Sequence, residues 1–82
     1  MGLMRRKMIG LYLAADPKVC HGKLTFSGTR VPVKTVLHFL ARGKTVESIL
    51  KDWPELNREA VEEAVELAAV ALDEKFTVQA GR

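Results

Sequence analysis

Eighty-two residues with 48% apolar and 28% charged side chains make one small folded domain, and exclude a disordered tail or a multidomain chain. The single cysteine, Cys20, excludes an intrachain disulfide and a cysteine-rich metal site, and favours a reducing, cytoplasmic setting. The net charge of +3 conceals an asymmetry: Met1–Lys44 holds nine Lys or Arg against Asp16 alone, a charge of +8, while Thr45–Arg82 holds four against nine acids, a charge of −5. A basic half beside an acidic half implies two faces with different partners, nucleic acid being the usual partner of the basic one.

Residues 1–10 read as a basic leader carrying Arg5, Arg6 and Lys7. The apolar run from Met8 to Ala15 has the outline of a short secretory signal, but Gly10 and Tyr12 interrupt it. It reads instead as a strand over Leu11–Ala14 closed by the Asp16-Pro17 turn. No run is long enough to span a membrane. Leu24–Phe26 is a second short strand, so the two form either a hairpin or separate edge strands. A single domain over residues 11–76 follows, with 77–82 as a tail.

From Pro32 the pattern becomes helical. Proline suits a first helical turn, where its missing N–H leaves no bond unmade. Val33, Val36, Leu37 and Leu40 then recur at helical spacing until Gly43 supplies a stop. Thr45 can cap a second, short helix with Glu47 in its first turn, an apolar side of Val46, Ile49, Leu50 and Trp53, and Pro54 at its end. Asn57 caps a third helix running to about Glu74. At 100° per residue, Val61, Ala64, Val65, Ala68 and Leu72 share the face expected to enter the core. Ala60, Leu67 and Ala71 form a flank that either widens this core or, with Phe76 and Val78, makes a dimer seam. The fold class expected is mainly α: a three-helix, helix-turn-helix-like bundle preceded by a short hairpin or two strands.

Lys34, His38 and Arg42 lie at i, i+4 and i+8, one stripe away from the apolar face of the first helix. With Arg5, Arg6, Lys7, Lys23 and Lys44 they outline a basic surface for the phosphates of duplex DNA. The third helix would repel phosphates with Glu59, Glu62, Glu63 and Glu66, so it is a poor reading head and a better face for a protein partner. No catalytic residue, metal set or cofactor motif emerges. Cys20-His21 lacks a third group to orient it, two histidines and one cysteine make no zinc spacing, and Gly22 and Gly28 make no phosphate loop. The chain therefore reads as a binding protein and not an enzyme.

Asp16-Pro17-x-Val19-Cys20-x-Gly22-Lys23, then Gly28-Thr29-Arg30-Val31-Pro32-Val33, Gly43, and Asp52-Trp53-Pro54-x-Leu56 closely resemble the family called domain of unknown function 433, over about Leu11–Ala71. Two positions depart from the family pattern: Leu24 where proline is usual, and Trp53 where tyrosine is usual. The resemblance implies a homeodomain-like fold and a role as a VapB-type antitoxin: a homodimer that binds DNA and neutralises a PIN-like ribonuclease toxin. The alternative is a protein-interaction module that binds no nucleic acid. Arg30 and Asp52-Trp53 are both motif positions, and the expectation is structural: the Arg30 fork reaches the Asp52 carboxylate or the end of helix two.

Overall fold

The computed structural model describes residues 5–78. Three short antiparallel strands, β1 (Lys7–Ile9), β2 (Leu13–Ala15) and β3 (Leu24–Phe26), form a sheet in the order β1-β2-β3. Three helices follow: α1 (Val33–Ala41), α2 (Val46–Asp52) and α3 (Arg58–Phe76). Lys7–Ile9, assigned to the basic leader from sequence, is thus an edge strand. Its partner begins at Leu13, because Gly10-Leu11-Tyr12 is spent on the turn.

Pairing of Ile9 with Leu13 and of Leu13 with Phe26 sets these three apolar side chains in one row on one face of the sheet. The helices cover that face. Leu13, Phe26, Val36, Ile49 and Val61 are all fully buried there. The row Lys7–Ala15–Leu24 lies on the same face two residues further along, at the margin of the core, where Leu24 is only partly buried.

The caps form where the sequence places them. Thr45 accepts from the Ser48 N–H at 3.0 Å, and Asn57 Oδ1 from the Ala60 N–H at 2.7 Å. Gly43, at φ +98°, lets the chain leave α1 in the left-handed conformation. The core face of α3 differs from the expected one. Ala60, Val61 and Ala64 are buried, whereas Val65 and Leu72 are 45% and 59% exposed. α1 and α2 reach only the first half of α3 and approach it from the Ala60–Ala64–Leu67 side, so the wheel's apolar stripe is only partly enclosed. No helix among the described residues is long and apolar enough to cross a membrane.

Candidate nucleic-acid interface

The segment between β2 and β3 places the first cations. Asp16 accepts from the Lys18 N–H through its side chain and from the Val19 N–H through its carbonyl, each at 2.8 Å, and so turns the chain at Pro17. Cys20, His21 and Gly22 then take φ of +49°, +58° and +83°. This left-handed turn strains two side-chain-bearing residues and is held by Gly22 N–H to Val19 and Lys23 N–H to Cys20 bonds. The Cys20 thiol donates to the Arg30 carbonyl at 3.6 Å, a structural tether between two loops. The turn leaves His21 and Lys23 exposed beside the sheet.

Two grooves result. Arg5, Lys7, Ala15, Pro17, His21 and Gly22 line one of about 450 Å³. The other, about 680 Å³, runs between the start of β3 and the first turns of α1, with Lys23, Lys34 and His38 around an apolar floor of Leu24, Val33 and Leu37. Ala15 floors one and Leu24 the other, and these two residues are paired neighbours on the same face of the sheet. The two grooves therefore lie side by side as a strip on this face, and among the described residues no carboxylate lines either one. Arg42, exposed two turns beyond Lys34, extends it along α1.

Five of the residues expected on a DNA surface, Arg5, Lys7, Lys23, Lys34 and His38, thus line the strip, and His21 joins them although its sequence position gave no periodic signal. Two others are diverted. Lys44 pairs with Asp52 at 3.4 Å and lies 5.4 Å from the centre of the Phe39 ring, at the α1–α2 joint. Arg6 donates to Ser27 Oγ at 2.7 Å on the opposite face of the sheet, where it lines a hollow with Asp16, Thr25 and Arg30.

The expected tie between Arg30 and Asp52 is not formed. Arg30 ends the tight turn that follows β3, in which the Thr29 hydroxyl donates to the Phe26 carbonyl and accepts from the Val31 N–H. The residue is exposed and lines the hollow it shares with Arg6, Asp16 and Thr25. Asp52 takes Lys44 instead, and Trp53 packs on Phe39 with ring centres 5.6 Å apart, so these two contacts fasten the α2 end to α1.

Glu63 is likewise not a free carboxylate for a partner. It accepts from the Leu11 and Tyr12 N–H groups at 2.8 Å each, clamping the β1–β2 turn to α3. Gly10, at φ +66°, leaves the space it needs: a Cβ there would lie 2.5 Å from Glu63 Oε2. Glu59, Glu62 and Glu66 remain exposed, with Glu62 3.8 Å from Arg58. Among the described residues no three His, Cys, Asp or Glu side chains group as metal ligands would.

Residues 14–68 match the family of proteins of unknown function designated DUF433, and the chain belongs to that family. No curated protein and no solved structure matches it.

Proposed function

We propose that the chain is a cytoplasmic, antitoxin-like regulator that binds duplex DNA through the strip formed by the sheet and α1. We further propose that it holds a PIN-like ribonuclease toxin on a separate acidic surface. The observation that carries this reading is the strip itself: Arg5, Lys7, Lys23 and Lys34 brought together from three segments, with no carboxylate among them. Cations so gathered neutralise phosphates and release counterions, which gives salt-sensitive binding that positions the protein on the duplex. The α2–α3 pair is helix-turn-helix-like in its connection, but α3 carries two cations against six carboxylates, so α1 takes the role of the helix nearest the groove. A homodimer would present two strips to successive half-sites.

A fluorescence-anisotropy titration against the duplex upstream of the protein's own gene, with a scrambled control, tests this at two salt concentrations. Tight binding that favours the native duplex, weakens with salt and drops at least about tenfold in a Lys34→Glu/Arg42→Glu variant is expected. Absence of binding at low salt overturns it. The exposed apolar stretch of α3 would then favour a second reading, a protein-interaction module without nucleic-acid binding.

A further inference from the structure

α3 outlasts the body on which it packs. Its first half gives Ala60, Val61 and Ala64 to the core, yet every residue from Ala69 to Phe76 is exposed. At 100° per residue, Val65, Leu72 and Phe76 continue the line begun by buried Val61, and they are 45%, 59% and 64% exposed. The line opens from a groove of about 490 Å³ lined by Leu40 of α1, Val46 of α2, and Val61, Glu62, Val65 and Glu66 of α3. From Val61 to Phe76 it extends about 22 Å at the rise of an α-helix. Large apolar side chains in a row, on a stretch of helix that no other described residue covers, mark an interaction face.

The margin of this face decides what fits it. Glu62, Glu66 and Asp73 all fall along the same side of the line. Glu66 and Asp73 meet no cation among the described residues, while Arg58 is engaged with Glu47 and Glu62, and Lys75 lies 6.0 Å from the Phe76 ring centre. A second copy is the poorer occupant. For Leu72 and Phe76 of one copy to reach the Leu40–Val46 groove of another, the two α3 helices must run antiparallel. Two-fold symmetry then sets each acidic margin against itself, with Glu62 and Glu66 facing Asp73.

We propose that this face seats an amphipathic helix of a partner protein, its apolar stripe on Val61, Val65, Leu72 and Phe76 and its Lys or Arg margin against Glu62, Glu66 and Asp73. The proposal rests on the two-surface reading above and gives the toxin-binding surface its chemistry. The acidic margin selects among partners, because an acidic helix of equal hydrophobicity is repelled there.

The probe is a fluorescein-labelled helical peptide of about five turns, with leucines at i, i+4, i+7 and i+11 and lysines along their margins. A matched peptide carries glutamates in place of the lysines. Titrated against the full chain, the lysine peptide should bind at least about tenfold more tightly than the glutamate one. Leu72→Asp, at an exposed position and checked by its melting curve, should lose about tenfold, and Glu62→Gln/Glu66→Gln should shrink the preference between peptides. Equal binding of the two peptides, or no effect of Leu72→Asp, overturns the proposal. So does a dimer in light scattering that Leu72→Asp converts to monomer, which would give the face to a second copy. Duplex binding is measured on the same preparations. Peptide binding lost with duplex binding kept removes this surface alone, and the converse removes the DNA reading alone.

Discussion

Glu63 holds the β1–β2 turn through two N–H groups, and its space exists only because residue 10 has no side chain. Hydrogen bonds to a charged acceptor contribute about 1.5–3 kcal/mol each before solvent exposure is counted. Glu63→Gln should therefore destabilise by about 1–2 kcal/mol, and lower the melting temperature by roughly 4–8 °C per kcal/mol in a domain of this size. Gly10→Ala adds a left-handed penalty and pushes the carboxylate off the turn, so it breaks the same clamp. The double variant should then melt close to Gly10→Ala alone. Full additivity of the two losses would show that the carboxylate and the glycine act separately. None of this is legible in sequence, where Glu63 is one of a run of helix acids and its partners lie more than fifty positions away. Arg30 teaches the reverse lesson: its motif suggested a fastener, while the fastening is done by Lys44, Phe39 and Trp53, whose pairing depends on how α1 and α2 meet.

At the scale of elements, what local chemistry determines was readable and what packing determines was not. Thr45, Asn57 and Gly43 act within a turn of themselves, so the helix ends follow from sequence. β1 was hidden because an edge strand needs only one buried neighbour, and Lys7-Met8-Ile9 shows no clear alternation. The α2–α3 joint carries an electrostatic staple that a pH series can read. Glu47 lies in the first turn of α2 and pairs with Arg58 in the first turn of α3. Its carboxyl is held below its ordinary value of 4.5, first by a backbone hydrogen bond at the helix start and then by the Arg58 guanidinium. A depressed carboxyl stabilises the fold fully above its unfolded pKa and loses that contribution as pH falls through its folded one. Glu47→Gln should accordingly lower the melting temperature at neutral pH and match the parent in acid well below pH 4.5. Both side chains are exposed, so added salt should narrow the neutral-pH gap as well. A gap that persists unchanged in acid would mean that the glutamate acts through packing and not through charge.

Across the whole molecule, the sequence told correctly that charge is segregated along the chain, but not which cations share a surface. Alternation along the N-terminal strand sends Arg5 and Lys7 to the face that carries Lys23 and Lys34 while Arg6 goes to the other side, and the α1–α2 connection takes Lys44 to the helix joint. The sorting separates a built interface from mere net charge, because single substitutions that remove the same charge should behave differently. Each phosphate neutralised contributes about 0.9 to the slope of log affinity against log salt. With Arg5, Lys7, Lys23, Lys34 and Arg42 engaged, that slope should be about −4 to −5 for one copy of the chain. Lys7→Ala, Lys23→Ala and Lys34→Ala should each weaken duplex binding and flatten the slope by about 1. Lys44→Ala removes an equal charge yet should leave the slope unchanged, its effect appearing in the melting temperature through loss of the Asp52 and Phe39 contacts. If instead all four variants flatten the slope alike, the protein meets DNA through its overall field, and the strip between the sheet and α1 is not where the duplex lies.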